Sequence, residues 1–335
     1  MSTSPATTPR TTLAITALAP MAWGTTYLVT TELLPTGRPL LAGALRALPA
    51  GLILLALTRR LPSGSWWWRA AVLGVLNIGG FFALLFVAAE RLHGGVAAAL
   101  GAIQPLIAAC LAAVLLGERL RRRTVLAGML GVAGVAMIVL QPGAHLDAVG
   151  VAAGLGGAAS MASGVTLTKR WRTPSPSATA SALPPTVSNL AFTSWQLVVG
   201  GSLLLIASIA VEGAPPALTA TNLIGFAWLA TAGTAVAYAL WFRGIARLPV
   251  ANVALLGLLS PLVAVTAGYL VLDQRLGAIQ LTGMAVVLAA LWLGQRSPQT
   301  AGQTAPRAID LARMPRVARR LSSAMIGKML ASRHC

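Results

Sequence analysis

Residues 86–120, FVAAERLHGGVAAALGAIQPLIAACLAAVLLGERL, return 156 positions later as residues 242–276, FRGIARLPVANVALLGLLSPLVAVTAGYLVLDQRL. Phe86 falls on Phe242, Arg91-Leu92 on Arg247-Leu248, Leu100 on Leu256, Pro105-Leu106 on Pro261-Leu262, and Arg119-Leu120 on Arg275-Leu276. One register held over that length marks an internal repeat. Each copy also contains an apolar run near the roughly 20 residues that cross a bilayer as a helix. Barrel strands would alternate apolar and polar residues over about 10 positions, which these runs do not, so helices are expected.

Working outward from this pair, ten such runs are read. The first five are about Leu13 to Leu34, Pro39 to Leu57, Ala70 to Ala89, Gly94 to Gly117 and Thr124 to Leu140. The second five are about Val149 to Leu167, Asn189 to Val211, Leu223 to Ile245, Val250 to Leu272 and Ile279 to Gly294. The first run continues past Ala17-Leu18-Ala19 through Pro20 into more apolar sequence, so it is read as a retained helix instead of a cleaved signal. Five is odd, so the second copy must enter the membrane from the opposite side, as in inverted-repeat transporters. The expected fold is an all-α membrane protein with ten transmembrane helices in two inverted five-helix repeats, residues 12–140 and 148–296, followed by a basic tail over 297–335.

Composition agrees. Of 335 residues 56% are hydrophobic and 10% charged, too few charges to cover a soluble surface. The net charge of +18 raises the question of nucleic acid, but the basic residues cluster between apolar runs, which points to a lipid bilayer. With a cytoplasmic N-terminus, the inside segments hold Arg10, Arg59, Arg60, Arg69, Arg119, Arg121 to Arg123, Lys169, Arg170, Arg172, Arg243, Arg247 and the tail; only Arg38, Arg91 and Arg275 fall outside. Lys/Arg bias therefore predicts an inner-membrane protein with both termini cytoplasmic. Five of the seven acids, Glu32, Glu90, Asp147, Glu212 and Asp273, fall outside.

These residues resemble the EamA family of the drug/metabolite transporter superfamily over nearly all of Leu13 to Arg296. The resemblance is carried by Trp23-Gly24-Thr25, Arg46, Gln104-Pro105, Leu116-Gly117-Glu118-Arg119-Leu120, Trp241-Phe242-Arg243-Gly244-Ile245 and Ser260-Pro261. It implies export or exchange of small metabolites such as amino acids. The second copy has Asp273-Gln274-Arg275 where the first has Gly117-Glu118-Arg119, so an amide replaces the carboxylate at the position of Glu118.

Arg46 sits near mid-depth of the second run, where a charge costs about 2.5–3.5 kcal/mol and must face protein or water. Two readings are open. Arg46 either pairs with Glu90, Glu32 or backbone carbonyls, or acts as counter-charge to a substrate carboxylate, for which a guanidinium fork is suited. Trp23, Tyr27, Asn77, Gln104, Tyr238 and Trp241 form the mid-membrane polar and aromatic set that, with Arg46, is expected to line a substrate cavity. The wider set adds Ser160, Ser163, Trp195 and Gln196, which equally serve as glue between helices. Trp66, Trp67, Trp68 and Trp292 read as interfacial belt. Pro105 and Pro261, equivalent in the two copies, are candidate hinges.

Gly128, Gly131 and Gly134 give one helix a smooth face for packing within a monomer or in a homodimer. The tail from Arg307 to Arg333, with Arg313, Arg316, Arg319 and Arg320 among Leu311, Met314, Val317 and Leu321, reads equally as a basic amphipathic helix on the inner leaflet or as a disordered segment.

Enzyme chemistry is not expected. His93 and His145 lie in loops and His334 in the tail, no carboxylate reaches the midplane, and Lys169 and Lys328 belong to no phosphate loop. Cys110 and Cys335 form neither a disulfide framework nor a metal site, and no cofactor is expected. Proton coupling would have to use Glu118, Glu90 or an interfacial group. The rival reading is a non-transporting membrane assembly protein, which leaves both the inverted repeat and Arg46 unexplained.

Overall fold

The computed structural model describes residues 9–92, 100–139, 147–172, 188–273 and 276–295, apart from a few side chains that include Tyr27, Phe86 and Glu90. His93, His145, His334, Gln274-Arg275 and the tail after residue 295, on which expectations were placed, lie outside the described residues.

Every regular element among the described residues is helical. In chain order they are α1 (Pro9–Gly24), α2 (Thr26–Leu33), α3 (Pro39–Thr58), α4 (Trp66–Gly74), α5 (Gly80–Arg91), α6 (Gln104–Leu116) and α7 (Arg122–Val139). The second half has α8 (Ala148–Arg172), α9 (Asn189–Glu212), α10 (Ala220–Ala230), α11 (Ala237–Arg247), α12 (Val250–Leu256), α13 (Leu259–Val271) and α14 (Ala278–Gln295).

Several of these are halves of one crossing, so nine helical stretches among the described residues are long and apolar enough to span a bilayer. The fourth apolar run contributes α6, of 13 residues, whose preceding segment 93–99 is outside the description. Large apolar side chains stay exposed around the bundle, among them Leu57, Ile206, Val211, Leu270 and Trp292, as a hydrocarbon solvent requires.

The repeat is visible in how the helices pair. α3 and α9, second crossings of their repeats, cross where Gly51 lies on Leu197-Val198 and Gly201 lies on Leu48; an added Cβ would come within 2.7 Å of the Val198 nitrogen and 2.6 Å of the Leu48 nitrogen. α7 and α14, the fifth crossings, meet at Gly134 and Gly283, each facing the other's carbonyl oxygen at 2.9 and 2.7 Å from a would-be Cβ. Reciprocal contacts between equivalent helices are what a two-fold relation of the repeats produces.

The glycine face of α7 is used within the monomer. Gly128 packs on Leu106, Gly131 on Leu258 and Gly134 on α14.

Breaks also recur. The crossing that ends in α6 turns at Ala102-Ile103, just before Gln104-Pro105, with the Ile103 N–H bonded to the Leu100 carbonyl at 3.1 Å. Its copy turns at Gly257-Leu258, with Gly257 and Leu258 donating to Ala254 and Leu255 at 3.0 and 3.1 Å. These three-residue bonds are tighter than α-helical ones, and the prolines cannot restore the lost bonds. A wide π-helical turn interrupts the third crossing at Val75–Gly79 and the eighth at Thr231–Val236, which coincide under the same 156-residue shift.

The sequence reading placed Trp66 in the interfacial belt. Instead it is buried, edge-on to Phe192 with ring centres 5.9 Å apart and 6.4 Å from Trp195. Its neighbours Trp67 and Trp68 do stay exposed, as does Trp292. Helical periodicity puts three consecutive tryptophans on three faces, of which one points into the bundle.

Candidate functional site

Arg46 projects from the middle of α3 and is 6% exposed. Its Nη2 donates to the Gly233 carbonyl at 2.9 Å and its Nε to Thr234 Oγ1 at 3.1 Å. The guanidinium carbon lies 5.1 Å from the centre of the Phe82 ring. Among the described residues no carboxylate lies within ion-pair distance of it, and Glu32 is exposed beside Thr31. The charge is therefore met by neutral acceptors and a ring face, one of the alternatives the sequence left open.

Trp23 shares the same acceptor, its indole N–H donating to the Gly233 carbonyl at 3.1 Å. Its ring centre is 5.0 Å from both Tyr238 and Trp241, at 53° and 60° to their planes, tilted geometries favoured by ring quadrupoles. Tyr238 lies within electrostatic range of Arg46 and 5.7 Å from Phe242. Trp241 is 1% exposed and its Nε1–H has no partner among the described residues. Gly24, beside Trp23, lets α1 press against α13: a Cβ there would stand 2.6 Å from the Ser260 carbonyl. Four predicted site residues, Trp23, Arg46, Tyr238 and Trp241, thus meet in one cluster built from three crossings.

Asn77 lies in a different node. It is fully buried in the turn Val75–Gly79, and its amide donates to Gln196 Oε1 at 2.7 Å and faces Thr168 Oγ1 at 3.4 Å, while its own oxygen has no partner among the described residues. Gly164 leaves the room this side chain occupies. Ser160 donates to the Leu76 carbonyl of the same turn at 2.9 Å. Gln196 stands to α9 as Arg46 stands to α3, each five residues before the reciprocal glycines Gly201 and Gly51. Both reach across to the π turn of the other repeat.

Gln104 is half-buried at the first break, its Nε2 without a partner among the described residues and its Oε1 beside Gly257 of the second break. Tyr27 falls on α2, and its side chain is outside the description.

Glu118 serves a contact between repeats. Gly117, at φ +67°, takes the left-handed turn that ends α6 and returns the Glu118 N–H to the Ala112 carbonyl at 3.2 Å. The carboxylate then accepts from Lys169 Nζ at 2.7 Å and the Val250 N–H at 3.2 Å, and Lys169 also donates to the Leu248 carbonyl at 2.7 Å. Topology puts all three chain positions at one end of the bundle. At the other end Glu212 accepts from the Leu40 and Leu41 N–H groups at 2.5 and 2.9 Å, and Arg38 donates to the Glu212 and Ala214 carbonyls.

Sequence reading missed Gly233, Thr234 and Phe82. Backbone acceptors carry no residue signature, although the repeat does place Gly233 opposite Asn77.

A family model described as "EamA-like transporter family" matches residues 11–140 and 148–294. The chain is 43% identical over 277 residues, 83% of its length and 90% of the relative's, to Protein PecM of Dickeya dadantii (strain 3937). It is 26% identical over 221 residues, 63% of its length and 71% of the relative's, to a "Probable amino-acid metabolite efflux pump" of Escherichia coli (strain K12). A solved crystal structure superposes with a TM-score of 0.70 at 17% identity, covering 84% of this chain and 96% of that one, a likeness of fold.

Proposed function

The chain belongs to the EamA-like transporter family, and on that premise we propose that this multi-pass membrane transporter exports small metabolites, amino acids among them, by alternating access. The observation that carries the reading is Arg46. Among the described residues this guanidinium at membrane depth meets only neutral groups, and a substrate carboxylate is the group that best neutralises its charge. Trp23, Tyr238 and Trp241 beside it supply an apolar wall for the substrate's body, Asn77 is joined to the site through the third crossing, and the proposed site also takes in Gln104 and, by its place in the sequence, Tyr27.

Alternating access is supported by the paired breaks before Pro105 and Pro261. Two hinges related by inversion bend in turn as the site opens to one side and then the other. Glu118 with Lys169 at one end and Glu212 with the start of α3 at the other are contacts between repeats that such motion must release alternately. The efflux pump of Escherichia coli (strain K12) lends the outward direction and the amino-acid-like substrate.

The test is counterflow in reconstituted vesicles against a broad metabolite panel. At least one carboxylate-bearing metabolite should exchange in a manner that Arg46→Gln abolishes. Silence across the panel favours a non-transporting assembly role.

A further inference from the structure

A π turn puts an extra residue into the α ladder, and it persists where surrounding contacts hold it. The two repeats hold theirs with different chemistry. At Val75–Gly79 the holders are the Ser160 hydroxyl on the Leu76 carbonyl and the Asn77–Gln196 amide pair, neutral groups. At Thr231–Val236 one carbonyl oxygen, that of Gly233, accepts both a guanidinium N–H from Arg46 and an indole N–H from Trp23, while Thr234 Oγ1 takes the Arg46 Nε–H.

Arg46 and Trp23 are also the donors a carboxylate competes for most effectively. A bond with an ionised partner is roughly twice as strong as a neutral one, so the Trp23 N–H gains by exchanging the carbonyl for a carboxylate, while the guanidinium, already charged, gains an ion pair and can offer two parallel bonds.

We propose, building on the carboxylate subsite above, that the Gly233 carbonyl and a substrate carboxylate compete for the same two donors, so that carboxylate binding releases the turn Thr231–Val236. The released turn rewinds and carries α11 with it, moving Tyr238 and Trp241, the aromatic wall of the site. Trp241, with its buried N–H lacking a partner, gains room to pair in the shifted arrangement. A neutral analogue of the same shape leaves Arg46 and Trp23 on Gly233 and moves nothing, because a ligand shifts a conformational equilibrium only by its differential affinity for the two states. The turn at Val75–Gly79 has no charged holder and stays clamped. Substrate occupancy is thereby sensed on one repeat alone, and the class of substrate is set by its carboxylate.

Hydrogen exchange of the full chain in lipid nanodiscs tests this. The probes are L-phenylalanine, L-leucine and 3-phenylpropionate, each beside its carboxamide. At least one carboxylate should raise exchange over residues 231–236 several-fold, with its carboxamide inert and residues 75–79 unchanged. Thr234→Val, nearly isosteric, removes one holder of Arg46 and should tighten binding of that carboxylate about fivefold, as the loss of one competing hydrogen bond implies.

The proposal is overturned if a carboxylate shows Arg46-dependent counterflow without any response at 231–236, and the transport reading then stands. Equal responses to acid and amide, equal responses at both turns, or weaker binding by Thr234→Val also overturn it. A carboxylate-specific response at 231–236 without counterflow supports the switch and overturns the transport reading. No response and no counterflow overturns both.

Discussion

Two side chains at equivalent positions of the repeats have diverged in chemistry. Arg46 and Gln196 both bridge to a π turn, but a guanidinium can exchange a backbone carbonyl for an anion, whereas Gln196 and Asn77 meet as two neutral amides that offer an anion no charge. Arg46→Gln should therefore cut counterflow of carboxylates at least tenfold, leave carboxamides much less affected and preserve the unfolding midpoint; the acid-to-amide rate ratio is the measurement. Asn77→Leu should act on stability, because it strands the Gln196 amide in an apolar bundle at a cost of about 1 kcal/mol. A lowered melting midpoint in detergent, partly regained in the double variant Asn77→Leu with Gln196→Leu, would register that coupling.

The elements that move and the elements that stay are distinguished by their backbones. Where α7 meets α14, carbonyls and glycines interlock with no room for a side chain, so Gly134→Leu should prevent folded protein from accumulating, judged by size-exclusion profile. Under the proposed alternating access the interrupted crossings are the ones that flex, since Pro105 and Pro261 each lack the N–H that an unbroken helix would use there. Pro261→Ala lets that bond re-form and straightens the α12–α13 junction. Its expected effect is a several-fold slower counterflow with unchanged half-saturation, the signature of a slowed conformational step and not of a damaged site.

For the molecule as a whole, the described basic residues that the Lys/Arg bias assigns to the outside are held by their neighbours. Arg38 is absorbed by the Glu212 and Ala214 carbonyls, and Arg91 lies 3.8 Å from Asp147, a half-exposed pair worth at most about 1 kcal/mol. With Cys110 and Cys335 replaced by Ser, a cysteine introduced by Ala144→Cys should react with an impermeant maleimide from outside, and one introduced by Ser175→Cys should not. The opposite pattern would invert the membrane orientation.

Much was legible in the chain, and for identifiable reasons. Hydropathy over bilayer-length runs dictates helices because no other backbone satisfies itself in lipid, and the 156-residue register exposes the repeat because equivalent positions face equivalent neighbours. The rule that polar groups at membrane depth need partners singled out Trp23, Arg46, Tyr238 and Trp241, which meet in the fold, and equally Asn77 and Gln104, which do not join them. Which partners they take was not encoded in any run of letters. That Arg46 rests on Gly233, that Asn77 belongs with Gln196 and Thr168, that Trp66 is core while Trp67 is not, and that the third and eighth crossings widen into π turns all depend on how helices far apart in sequence press together. One-dimensional pattern determines what a segment must avoid exposing to lipid, but only tertiary packing decides which acceptor is within 3 Å of a given donor.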